Sequence, residues 1–197
     1  HALLGEVVEA ALLPSERRHL HERFAVVLSE RPALAGGAAG AGAAGVAAEL
    51  AHHWLRADRP ADAYRAAIAA AVQAESVHAY AGAVRQYAQA LALEAGLTEA
   101  ERLGDGLPDA VELRRRAARA ADDTGDNDQA IAWLREALAL VDPIAQPEIA
   151  GLLHSRLGYS LWAAERNEEA ALEHREAVRL VPAEPPTAAR ARVLVGL

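Results

Sequence analysis

A chain of 197 residues with 52% apolar side chains and a net charge of −8 can bury one or two cores and is too apolar to stay disordered. Acids outnumber bases by 28 to 20, and every base is arginine, so the surface as a whole does not attract nucleic-acid phosphates. The absence of cysteine excludes disulfides, thiol nucleophiles and thiolate metal sites, and no apolar run reaches the roughly 18 to 20 residues that cross a bilayer.

With no basic start leading into a signal-like core, the expected location is the cytoplasm, with neither membrane nor nucleic acid as a direct partner. Alanine supplies most of the apolar fraction, beside one Phe, four Tyr, three Trp and no Met. Small side chains of that kind favour closely packed helices. The chain begins at His1 and ends within a helical pattern, which reads as an excised piece of a longer protein.

In chain order, Leu3, Leu4, Val7, Val8, Ala11 and Leu12 recur at helical spacing over residues 2–13. Pro14-Ser15 interrupts, and Ser15 is placed to cap a second helix whose apolar stripe is Leu20, Phe24, Val27 and Leu28. The Ala/Gly tract at 35–45 contains Gly40-x-Gly42-x-x-Gly45, a formal match to the dinucleotide fingerprint. That fingerprint needs a preceding strand and a βαβ unit, neither of which is visible, so residues 32–45 read as a linker. Helical patterns follow at 46–57, 61–76 and about 78–93, with Asp58-Arg59-Pro60 as a turn. Others begin at Asp109, turn at Gly125-Asp126, and continue to Pro182, beyond which AEPPTAARARVLVGL looks like a first helix cut short.

Four segments share one internal spacing. Ala63 and Ala70, Ala83 and Ala90, Ala130 and Ala137, and Ala170 and Ala177 each stand seven apart. Their starts are separated by 20, 47 and 40 residues, against about 34 for a tetratricopeptide repeat. The longer intervals are accounted for by insertions at 96–108 and 143–148. The best-formed copy is residues 153–182. There His154-x2-Leu157-Gly158-x2-Leu161, Ala170-x3-His174-x2-Ala177 and Pro182 follow the small-residue skeleton of that repeat, with His154, Leu161 and His174 where large aromatics are usual. Gly158 and Ala170 are expected to let two helices approach closely. The fold expected is all-α, a tetratricopeptide-like right-handed solenoid of about ten helices in antiparallel pairs.

No catalytic constellation stands out, and the chain is not expected to be an enzyme. The neighbours His52 and His53, and His19 and His21, diverge by about 100° and 200° on a helix, so neither pair clamps one ion. Ser15, Ser29, Ser76, Ser155 and Ser160 lack a nucleophile elbow. Arg114, Arg115, Arg116 and Arg119 form the densest positive patch. It reads either as a phosphate or acidic-peptide site or, preferably, as a solvated face balanced by Asp122 and Asp123. The first helix of each tetratricopeptide hairpin lines the concave face. Helical phase then nominates Glu112, Arg115, Arg119 and Asp122 in one hairpin and Ser155, Tyr159 and Trp162 in the next as groove residues.

The phrases ALLPSERRHLHERF (residues 11–24) and ELAHHWL (49–55), followed by DQAIAWLREALALVDP (128–143), resemble the middle of large LuxR-type regulators of actinobacterial kind. Those proteins resemble signal-transduction ATPases. The resemblance covers nearly the whole chain and implies a winged-helix tail at 1–31, a linker at 32–45 and a tetratricopeptide-like sensor at 46–197, truncated at its C-terminal end. It implies no metal and no cofactor in this piece, ATP being expected only in a nucleotide module elsewhere in the parent. The implied partners are the parent's other domains and an unknown protein or small-molecule inducer, with self-association possible through the open end at 183–197. Without a transcriptional role, the same repeats read as a plain protein scaffold.

Overall fold

The computed structural model describes residues 12–30, 43–104 and 106–195, and among them there are ten helices and no strand. They are α1 (Pro14–Glu30), α2 (Ala43–Arg56), α3 (Pro60–Ser76), α4 (Tyr80–Glu94), α5 (Glu99–Arg102), α6 (Ala110–Asp123), α7 (Asn127–Ala139), α8 (Pro147–Ala163), α9 (Asn167–Leu180) and α10 (Ala188–Val195). The chain divides into two compact units, 1–107 and 108–197. Most of the helix expected at 2–13 and most of the Gly/Ala linker lie outside the described residues; Leu12 and Leu13 are described and are not helical, and Gly45 falls within α2.

Local chemistry sets the helix starts. Pro14 opens α1, and the Leu13 amide donates to the Glu16 carboxylate at 2.9 Å, so the cap comes from Glu16 and not from Ser15. Asp109 and Asp126 cap α6 and α7 by accepting from the amides of Glu112 and Gln129. The segment expected as a plain insertion at 96–108 holds the one-turn helix α5, closed by a reciprocal capping box between Thr98 and Glu101. Helix α8 starts at Pro147, six residues before Leu153, because proline is accepted at a first helical position.

The same turn ends four helices. After α2, α3, α6 and α8 the backbone passes through a left-handed residue, respectively Asp58, His78, Gly125 and Glu165, with φ between 58° and 80°. In each case the next amide donates five residues back and the left-handed residue's own amide donates three back, which is the Schellman pattern. The first repeated alanine follows that residue by five positions every time: Ala63, Ala83, Ala130 and Ala170. All eight repeated alanines are at most 4% exposed. The spacing in the sequence is therefore the face that each return helix buries after an identical turn.

In unit 1 the largest fully buried side chains are Tyr64 and Tyr87, set among alanines of α3 and α4. Unit 2 is built on larger aliphatics, with Leu113, Leu134, Leu153, Leu157 and Leu161 at most 1% exposed. Fully burying each such leucine contributes roughly 1.5 to 3 kcal/mol. Helices α8 and α9 run antiparallel and meet at two glycines. A Cβ on Gly151 would collide with the Val181 side chain and come within 3.0 Å of the Ala177 carbonyl. One on Gly158 would meet the His174 ring at 2.7 to 2.9 Å. Gly151 is thus the position of close helix approach, while Gly158 makes room for an imidazole.

Side chains also join the two hairpins of unit 2. The Ser160 hydroxyl of α8 donates to Asp122 of α6 at 3.1 Å, and Arg135 of α7 reaches Glu169 of α9 at 3.3 Å. Helix α10 closes the unit with Ala189 and Val193 against Ala177 and Val181, and its Arg190 guanidinium donates to the carbonyls of Val178 and Val181 at the end of α9. That satisfies acceptors a helix end leaves open.

Candidate functional site: an arginine-lined groove in unit 2

Unit 2 contains an open groove of about 1230 Å³ whose walls come from α6, α8, α9 and α10. Five of the seven residues nominated by helical phase line it: Arg115, Arg119, Ser155, Tyr159 and Trp162. The other two do not. Glu112 holds Arg115 through two hydrogen bonds, at 2.6 and 2.8 Å, and Arg116 at 2.9 Å. Burial alone would raise its pKa, but the two guanidinium partners together outweigh burial and hold it below the usual carboxylate range. The Asp122 side chain, 3% exposed, turns into the α6 to α8 contact, where it pairs with Arg156 at 2.7 Å. There burial prevails over Arg156 and Ser160, and the Asp122 pKa is raised. Helical phase places a residue around the axis but does not reveal that a serine and an arginine wait for it on the next helix.

The arginine patch at 114–119 resolves in the same way. Arg114 bonds Glu136 and the Ala110 carbonyl, and Arg115 and Arg116 are tied to Glu112. Arg119 lines the groove and has no hydrogen-bond or ion-pair partner among the described residues. Sequence reading missed Arg156 of α8, which pairs with Asp122, and it missed the opposite walls, His174 and Arg175 from α9 and Arg192 from α10. Arg156 stands next to the nominated Ser155 on the same helix, whereas nothing in the sequence tells that a return helix and a terminal helix reach the groove.

The groove floor is aromatic. Trp162 is 61% exposed and Tyr159 47%, their ring centroids lie 6.0 Å apart, and the Arg156 guanidinium sits 5.0 Å over the Tyr159 ring. An exposed tryptophan beside an exposed tyrosine is a surface that gains by being covered. His174 packs its ring on Gly158, and its Nδ1 is buried with no partner among the described residues. Burial lowers its pKa, partly offset by the Glu173 carboxylate, so the neutral imidazole is favoured.

The histidines of unit 1 also meet, across helices and not along them. His21 of α1 and His53 of α2 bring their Nδ1 atoms to 2.9 Å, with the His52 ring 6.0 Å from that of His21 and Phe24 stacked on His53. One imidazole donates and the other accepts. Among the described residues no set of three His, Asp or Glu side chains is arranged to hold a metal ion, and no helix is long and apolar enough to cross a membrane.

No protein-family model matches this chain, and no curated protein matches it.

Proposed function

We propose that the chain is an interaction arm made of tetratricopeptide-like hairpins, with the groove of unit 2 as the place where a partner or ligand enters. The observation that carries this reading is the pairing of a repeated hairpin, one turn followed five residues later by buried alanines at seven-residue spacing, with a groove floored by the exposed Trp162 and Tyr159. A stack of hairpins provides concave surfaces without needing a reaction centre. The resemblance to LuxR-type regulators supports a sensor role within a larger protein. In that role a bound ligand stabilises one packing of the arm against a nucleotide module, and so shifts the parent between two states. No catalytic step is assigned, and nucleotide and DNA binding belong to other modules of such a parent.

Trp162→Ala tests the reading. Screening the whole chain and the variant by thermal shift against mixed peptides and small metabolites should yield hits that the variant loses. The variant's own melting temperature should stay within a degree or two, because Trp162 is more exposed than buried. A large drop in stability would make Trp162 a core residue, and hits indifferent to the substitution would remove the groove from the account.

A further inference from the structure

We infer that the unit 2 groove recognises an acidic peptide segment, read by Arg119, Arg175 and Arg192 over the Trp162 and Tyr159 floor; this rests on the groove being the partner site. The charge around it opposes that of the chain. The protein carries a net −8, yet five arginines line the groove and one carboxylate, Asp123, does. Glu112 is spent on Arg115 and Asp122 on Arg156, at 2.6 and 2.7 Å. That leaves Arg119 on α6, Arg175 on α9 and Arg192 on α10 facing one acid, and none of the three has a hydrogen-bond or ion-pair partner among the described residues.

Elsewhere the fold pairs its arginines readily. Arg135 and Arg166 share Glu169, Arg179 holds Glu176, and Arg59 holds both Glu22 and Asp62. Among the described residues the side chains of Arg23, Arg85 and Arg102 also lack a partner, so what sets the groove apart is that three unpaired guanidiniums, from three different helices, line one groove. Guanidinium is the cation best shaped for carboxylate, offering two parallel donors to its two oxygens. Carboxylates presented from several directions along an open groove of about 1230 Å³, larger than the 300 to 1000 Å³ of common small-molecule sites, suit an extended segment better than a compact metabolite. Arginine clusters are a recurring means of reading acidic motifs, and the exposed aromatic pair lining the same groove adds an apolar anchor. A short segment also escapes the repulsion that the acidic chain exerts on larger anions, since fields beyond about 8 Å are screened at physiological salt.

The test is calorimetric titration of the whole chain with a synthetic peptide of about eight residues alternating Glu with Leu and Phe, beside its Gln counterpart, citrate and inorganic phosphate. The acidic peptide should bind and the Gln peptide should bind at least about tenfold more weakly. Binding should fade as salt rises toward about 1 M, where the Debye length is about 3 Å. Arg119→Gln, Arg175→Gln and Arg192→Gln should each weaken binding about three- to tenfold, with circular dichroism unchanged because the three side chains are exposed and unpaired. Equal binding of the two peptides, or indifference to all three substitutions, overturns the assignment. Citrate or phosphate binding as tightly as the peptide overturns the peptide as the occupant. If the Gln peptide binds and Trp162→Ala abolishes it, the acidic specificity falls while the groove keeps its role. If neither peptide responds to Trp162→Ala, both fall together.

Discussion

Between their repeated alanines, three of the four return helices carry a fully buried side chain, Ala67, Tyr87 or Leu134, whereas the fourth carries His174 in the same register, half-buried at the groove. The turn, the alanines and the register are otherwise alike. The difference teaches where a repeat can change without losing its hairpin. The alanines must stay small because a facing helix lies against them, but the position four residues after the first of them is backed by whatever the first helix presents. On α8 that is Gly158, which leaves room for an imidazole at the groove edge.

The comparison is broken most forcefully at Leu134. Leu134→Ala removes a side chain at 0% exposure and should cost about 2 to 5 kcal/mol, whereas His174→Leu should be neutral or stabilising by up to about 1 kcal/mol. The leucine at 174 removes the burial of Nδ1, which has no partner among the described residues, and keeps nearly the same volume. Urea unfolding followed by tryptophan fluorescence in a Trp54→Phe background would report on unit 2 alone, through Trp133 and Trp162. Equal losses from both substitutions would mean that His174 is a core residue like the other three.

The glycines sharpen the same contrast with a smaller effect. Gly151→Ala puts a methyl against the Val181 side chain and 3.0 Å from the Ala177 carbonyl, and backbone cannot step aside, so a loss of about 1 to 3 kcal/mol is expected. Gly158→Ala meets first the far atoms of the His174 ring, a side chain at the groove that can turn aside where backbone cannot. Its stability cost should be under about 1 kcal/mol, with the loss appearing in ligand binding instead. Comparable destabilisation by the two would show that His174 has no freedom to move.

How much of this was legible depended on whether a residue's job leaves a trace in its type. The alanines did, since a small side chain at seven-residue spacing has one reading on a helix, and so did Gly125 and Pro60, while Asp109 was legible as a helix start but not as its cap. The Thr98 to Glu101 capping box is an equally plain signature, hidden in what reads as an insertion. Gly158 was legible as a place without a side chain, but what fills the space, His174 in place of a neighbouring backbone, depends on contacts between helices. Of the groove, one wall could be phased from the first helices. Arg175 and Arg192 could not, because a return helix and a terminal helix reach the groove only once the hairpins are packed. Asp122 shows the converse, a residue at groove phase that Arg156 and Ser160 draw inward.

The four turns offer the finest test, because they hold the repeat's geometry constant while varying one residue. Gly125 takes φ of 80° without strain, but Asp58, His78 and Glu165 take φ near 60° with a Cβ pressed toward the carbonyl oxygen. Each of those three pays a local penalty of about 1 kcal/mol that glycine avoids, less the extra chain entropy glycine loses on folding. Glu165→Gly and Asp58→Gly should therefore stabilise their own units by about 0.5 to 1 kcal/mol, while Gly125→Ala should destabilise unit 2 by about the same amount. Asp58 is expected to gain less, since its carboxylate takes a long 3.4 Å contact from Arg18 and aspartate tolerates the left-handed region better than glutamate. His78 ranks between them, with its ring edge-on to Tyr80 at 5.8 Å. An unchanged melting point in Glu165→Gly, with Gly125→Ala still destabilising, would mean that the α8 to α9 turn is held by its hairpin's packing and not by its backbone, and the equivalence of the four turns would end there.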